Sequence, residues 1–209
     1  MHHAATAPLT LDGRAYHSPE SAETLGDLLA DADTHLARDG RIVTGLRLDG
    51  VDEPAFREPH VVDARRAAFG EIAIESGTPA DLAGRCLAEA AAALDALADA
   101  ADGLAMRYRL GELAVANREL AQITEGIGTA LAITGAASLG LGLDLTSQET
   151  TEGTLGALAA STTQVLDRLI RAQIDADWET TADLLEGTLA PVLRRWATAC
   201  GLLVATPAP

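Results

Sequence analysis

The stretch DADWETTADLLE, Asp175 to Glu186, places acids at the first, third, fifth, ninth and twelfth positions of a twelve-residue window. Carboxylates at nearly this spacing ring a hard cation in helix–loop–helix calcium sites. The sixth position of such a loop turns sharply and is glycine; here it is Thr180. The fifth is Glu179, where Asp or Asn is usual. More telling, Trp178, Ala182, Leu185, Leu189, Val192, Trp196, Cys200 and Leu203 step by four and three through the window, as one face of a helix does. A helix that starts at Asp177, with Glu179 in its first turn, accounts for both the acids and the stripe. Helical backbone does not wrap a cation, so the expectation is a helix start and no metal.

Other candidate chemistry weakens in the same way. Asp27, Asp31 and His35 fall at i, i+4 and i+8, a set able to hold a divalent metal, but opposite a run of leucines where a solvated polar face is expected. The run AASLG (136–140) approaches a nucleophile elbow around Ser138, yet that elbow needs a preceding strand and this serine sits in a helical pattern. Gly126 and Gly128 lack the third glycine of a dinucleotide fingerprint, since position 131 is Leu. All five histidines (2, 3, 17, 35 and 60) precede the helical part, which excludes a carboxylate di-metal bundle built on Glu-x-x-His pairs. Cys86 and Cys200 are too few and too far apart for a zinc cluster, and two buried thiols are expected. No catalytic set emerges, and neither a cofactor nor a metal is expected.

Charge narrows the partners. The chain carries 31 acids against 15 arginines, a formal net charge of −16, and has no lysine. Without lysine there is neither Schiff-base chemistry nor a P-loop amine. The acidity argues against nucleic acid and anionic membrane surfaces and fits a basic protein partner or simple solubility. Gly126 to Leu143 runs 18 residues without a charge, but it is filled with small residues and lacks cationic flanks, so a buried helix is expected rather than a membrane span. The start, MHHAATAPLTLDG, shows no signal peptide, and a cytoplasmic location is expected.

The elements that must position these residues fall into two parts. At 209 residues, 48% hydrophobic and only 3% aromatic, the chain has material for helices packed through small side chains. After a disordered tail (1–8), residues 9–77 predict a small α+β domain. Leu9–Leu11 and Arg14–Tyr16 flank the hairpin signal Asp12-Gly13. A helix over Thr24–Asp39 follows, with Leu25, Leu28, Leu29, Ala32 and Leu36 inward and Gly40 as its stop. Strands at 41–48 and 71–76 bracket a loose stretch, 51–70. The order ββαββ is similar to the β-grasp (ubiquitin-like) arrangement.

Residues 78–204 predict an antiparallel bundle of about four helices, ahead of a tail at 205–209. Thr78-Pro79-Ala80-Asp81 is the start of the first, whose stripe of Leu82, Cys86, Ala90, Leu94, Leu97 and Ala101 ends at Asp102-Gly103. The second carries Leu110, Leu113, Asn117, Leu120, Thr124, Ile127 and Leu131, with a break at 140–143. Thr146–Glu149 has capping-box spacing for the third, whose face is Leu155, Leu158, Thr162, Val165 and Leu169. The last runs from about Trp178 to Leu203 and should kink at Pro191, which frees the carbonyl of Gly187.

The last helix, DWETTADLLEGTLAPVLRRW (177–196), resembles the C-terminal segment of an uncharacterised bacterial family. In that family a small N-terminal α/β part precedes helices that end in an Asp-aromatic, Ala-Asp-Leu-Leu-Glu, Pro-x-Leu pattern. The resemblance implies architecture and no chemistry.

The expectation is therefore a non-enzymatic protein-interaction module, an adaptor or chaperone-like binder that uses an acidic amphipathic bundle. The alternative is a self-associating homodimer; a carboxylate metal binder or enzyme ranks below both. The candidate interface residues are Asn117, placed in the seam of the second helix where it either fixes register or bonds a neighbouring helix backbone, and Trp178, Leu185, Leu189 and Trp196 on the stripe of the last, for which plain core is the favoured reading and interface the alternative.

Overall fold

The computed structural model describes residues 8–19, 21–141 and 149–205. It is mixed α+β, mostly helical, with a small N-terminal sheet and a helical C-terminal part. The chain divides into two compact units between Leu82 and Ala83.

In the N-terminal unit, β1 (Leu9–Leu11) and β2 (Arg14–Ala15) form a hairpin closed by Asp12 and Gly13 at φ 51° and 74°. Both central residues at positive φ is the turn whose twist matches the strands, and Asp-Gly supplies it. Helix α1 (Leu25–Leu36) opens on a capping box between Thr24 and Asp27. It ends through a 3₁₀ turn at Gly40, φ 65°. A second Asp-Gly turn, Asp49 and Gly50, joins β3 (Ile42–Leu48) to β4 (Val51–Asp52). The short α2 (Pro59–Val62) precedes β5 (Ile72–Gly77). The sheet order is β2-β1-β5-β3-β4, with β1 and β5 parallel and every other pair antiparallel. Leu9, Val43, Leu46, Ile72 and Ile74 form one core with the five expected residues of α1. The stretch 51–70, expected to be loose, holds β4 and α2; two strand residues and four helical ones are too short to leave a periodic signal. Pro8, expected in the tail, already accepts a hydrogen bond from the Ile72 amide. The rest of that tail lies outside the described residues.

The C-terminal part begins with α3 (Pro79–Arg109), capped by Thr78 and Asp81 as expected. The helix does not stop at Asp102-Gly103. Leu104, Ala105 and Tyr108 continue its buried face, and an exposed Gly103 costs about 1 kcal/mol, less than those side chains gain. The turn comes at Gly111, φ 76°. Helix α4 (Leu113–Leu141) buries Ala116, Leu120, Ile123, Ile127, Ala130, Thr134 and Ala137. Of the expected stripe, Leu120 and Ile127 are buried and Leu113 and Leu131 pack half-buried against the same core. Leu110 lies in the turn, Asn117 and Thr124 are exposed, and small residues fill the seam instead. Gly140 and Leu141 are still helical; residues 142–148 lie outside the described residues, and with them the rest of the expected break and most of the expected capping box.

Glu149 is not in a helix. It starts β6 (Glu149–Thr150), which pairs with β7 (Gly153–Thr154), and Thr154 caps α5 (Leu155–Ile174) by accepting from the Ala157 amide. All five expected residues of α5 are buried. Asp177 caps α6 (Trp178–Leu184), and α7 (Ala190–Ala205) takes in Ala205, expected in the tail. Between α6 and α7 the backbone widens into a π turn, Leu185–Leu189, where the Ala190 amide donates to the Leu185 carbonyl five residues back. Pro191 has no N–H for Gly187, and the widened turn falls where that bond is lost.

Candidate interaction surface

Two helix connections, α3 to α4 and α5 to α6, meet at one aromatic ring. Tyr108, on the last turn of α3, is 2% exposed. Its hydroxyl donates to Asn117 Oδ1 on α4 at 2.7 Å, and Gln173 Nε2 on α5 donates to the same oxygen at 3.4 Å. The ring stacks on Trp178, the first residue of α6, with centroids 5.8 Å apart and planes 12° from parallel. Burial pushes the Tyr108 phenol up, against the opposing pull of Gln173.

The same helix ends expose apolar side chains. Met106 and Leu110 on α3 and its turn, Val115 on α4, and Ile170 and Ile174 on α5 are all exposed, Ile174 by 78%. They are five of the nine exposed large hydrophobics among the described residues, a concentration that singles out this end of the helices. The α5–α6 turn adds exposed Asp175, Asp177 and Glu179. Four arginines stand at this end: Arg107 bonds Glu112 at 2.9 Å and Glu119 at 3.0 Å, Arg109 bonds Asp183 at 2.9 Å and Glu186 at 2.6 Å, and Arg118 and Arg171 are exposed on α4 and α5. This end of the helices therefore exposes apolar side chains together with acids and arginines.

Three of the five acids of the opening window are thereby assigned. Asp177 accepts from the Thr180 amide at 3.0 Å and from its hydroxyl at 2.7 Å, which hold its carboxyl below the usual range. Asp183 and Glu186, the ninth and twelfth places of the calcium pattern, face a guanidinium on α3. A matching clasp lies further along, where Arg194 of α7 reaches Asp99 at 2.8 Å and Asp102 at 2.7 Å on α3. Asp27 caps α1, while Asp31 accepts the Tyr16 hydroxyl at 2.7 Å, so the set with His35 does not converge. Among the described residues no group of three or more His, Cys, Asp or Glu is arranged to hold a metal. Ser138 is buried inside α4 and donates to the Thr134 carbonyl at 2.6 Å.

Of the sequence-predicted interface residues, Asn117 and Trp178 meet at this end, on either side of Tyr108. Asn117 is at the rim and not in the seam. Leu185, Leu189 and Trp196 lie in the chain's own core, exposed by 0%, 0% and 2%. Cys200 is fully buried and Cys86 half-buried. Burial raises the Cys200 thiol, opposed by Thr134, 3.9 Å away, and by the Trp196 indole. Sequence reasoning missed Met106–Leu110 and Ile170–Ile174, though each is an apolar i, i+4 pair off the main stripe.

The model of the domain of unknown function DUF8042 matches residues 86–199. The chain belongs to that family. The DUF8042 match takes in the Tyr108 cluster, both arginine clasps and the segment 177–196 on which the resemblance to an uncharacterised family rested. The N-terminal sheet lies outside it. No curated protein matches the chain. No solved structure matches it either. Among the described residues no helix is long and apolar enough to cross a membrane.

Proposed function

We propose that this DUF8042 protein is a non-enzymatic, cytoplasmic interaction module, an adaptor or chaperone-like binder, and that it docks a partner on the Tyr108 end of its helical part. The observation that carries this reading is the group of exposed apolar side chains, Met106, Leu110, Val115, Ile170 and Ile174, beside an acidic turn. A partner segment with apolar side chains flanked by Arg or Lys complements such a surface. Two copies carrying −16 each repel, which favours a basic partner over a second copy. The finer architecture we read into the fold supports a rigid platform. The sheet order with parallel β1 and β5 at its centre is what a β-grasp-like unit has. Contacts of Leu97 with Gly126, Asn117 with Gln173 and Arg194 with Asp99 suit an antiparallel four-helix bundle.

The test is capture from host lysate with the wild-type chain and with a Met106→Asp/Ile174→Asp variant, at low and high salt. A stoichiometric partner that the variant loses, and that high salt weakens, supports the reading. A partner retained by the variant, or a bait recovered alone, removes it. Light scattering over a range of concentrations separates the alternative: a dimer that the same variant dissolves would put a second copy on this surface.

A further inference from the structure

The sulfur atoms of the chain differ in what can reach them. There are two cysteines and two methionines, and Met1 lies outside the described residues. Cys200 is 0% exposed, and burial pushes its thiol up, which leaves little of the thiolate that oxidants attack. Cys86 is half-buried and packs against the helical core. Met106 is 54% exposed. A thioether has no proton to lose before it reacts, so access governs its oxidation, and Met106 has that access.

Its position gives the reaction a consequence. Met106 is on the last turns of α3, and its carbonyl accepts from the Leu110 amide at 3.0 Å, so the two side chains stand one turn apart on one face. Leu104, Ala105 and Tyr108 take the buried face of the same turns. The contacts of Asn117 with Tyr108 and Gln173 join the end of α5 to this one, and there Ile170 and Ile174 are exposed at the same spacing. Met106 belongs to this exposed apolar set and is not among the residues packed on the helical core.

We infer that Met106 is a redox modification site, where hydrogen peroxide converts the thioether to its sulfoxide and makes the Tyr108 end polar without unfolding the helices. The sulfur lone pair takes one peroxide oxygen as the O–O bond breaks; sulfur is oxidised, the peroxide is reduced, and water leaves. A dithiol reductase reverses the step, with the sulfoxide oxygen released as water and the thiols oxidised to a disulfide. The exposure that admits the oxidant also admits the reductase. At a buried methionine the sulfoxide would leave a polar group in the core and cost the fold its stability. On the docking reading above, the consequence is release of the partner; the modification itself does not depend on that reading.

The full chain and a Met106→Leu variant are treated with hydrogen peroxide, beside N-acetylmethionine amide as an unprotected thioether. Peptide mapping by mass spectrometry should place an added oxygen on Met106, at a rate within severalfold of the free thioether. The oxidised protein should keep its helical circular dichroism and elute earlier from a phenyl column. Methionine sulfoxide reductases for both epimers, with dithiothreitol, should restore mass and elution, and Met106→Leu should show no shift. A Met106 that reacts an order of magnitude more slowly than the free thioether, an unchanged elution, an equal shift in Met106→Leu, loss of the helical signal, or a sulfoxide the reductases leave in place would each overturn the inference. None of these readouts needs a partner. If they hold while the capture above returns the bait alone, the docking reading fails and the modification stands. Where a partner is captured, peroxide-treated wild type should lose it and treated Met106→Leu should keep it; equal capture by both would overturn the switch.

Discussion

The hydroxyl of Tyr108 donates to the side-chain oxygen of Asn117 at 2.7 Å, and so joins α3 to α4 across the turn that separates them. The donor ring is buried and the acceptor exposed, which makes the two truncations unequal. Tyr108→Phe removes the donor and its hydroxyl together and should cost about 0.5–1.5 kcal/mol. Asn117→Ala leaves the hydroxyl without its acceptor and should cost more, about 1–3 kcal/mol. Asn117→Ala made on top of Tyr108→Phe should then cost little. Urea titrations of the four proteins check this; equal costs in both backgrounds would show that the bond contributes nothing.

Asp177 decides between a cap and a cation ligand. Its pKa is lowered by Thr180, so its stabilisation is full above the ordinary carboxylate range and is lost as pH falls through the folded-state value. Asn caps equally well and does not titrate. Asp177→Asn should therefore keep neutral-pH stability and flatten the acid limb of the stability profile, whereas Asp177→Ala should destabilise at neutral pH. Thermal melts across pH, with and without calcium, measure it; a rise in Tm with calcium in the wild type alone would restore the metal reading.

How much of this was legible in the sequence differs between the two units. In the sheet unit the Asp-Gly turns, α1 with its five inward residues and four of the five strands were readable, because turn chemistry and leucine periodicity agreed there. In α3 and α4 the seam is Ala83, Ala98, Ala116, Ala130 and Thr134 as much as leucine. A stripe traced through the largest apolar residues is rotated off such a face, and that is how Asn117 came to be placed in the seam. The candidate surface was half legible. Asn117 and Trp178 were singled out, but Tyr108, which connects them, lay beyond the Asp102-Gly103 stop expected for its helix.

Gly126 shows what small residues do in that seam. A methyl group on its α-carbon would stand 2.8 Å from Leu97 Cδ2. That contact is the tip of a half-buried side chain, able to turn aside. Gly126→Ala should stay within about 1 kcal/mol of wild type, since the gain in helix propensity offsets the shift of Leu97. Gly126→Leu has no such escape and should cost about 1–3 kcal/mol. Chemical denaturation of both variants, and of Gly126→Leu combined with Leu97→Ala, checks the pairing; no recovery in the combination would assign the cost to another neighbour.

The two tyrosines predict alkaline behaviour. Burial first, then the Asp31 carboxylate that accepts its hydrogen bond, push Tyr16 up to about 12. Tyr108 is raised as well, chiefly by burial. In the unfolded chain both ionise near the ordinary value of about 10. A raised folded-state pKa means the native protein holds its phenolic protons longer, so this stabilisation is intact below about pH 10 and fades as pH climbs towards 12. Tyrosinate absorbance should therefore stay flat through pH 10 and then rise together with loss of helical circular dichroism. Tyr16→Phe should remove one of the two chromophores, leave neutral-pH folding in place and make the alkaline limb shallower. A phenol that titrates near 10 in the fully helical protein would mean that the Tyr16–Asp31 bond does not hold in solution.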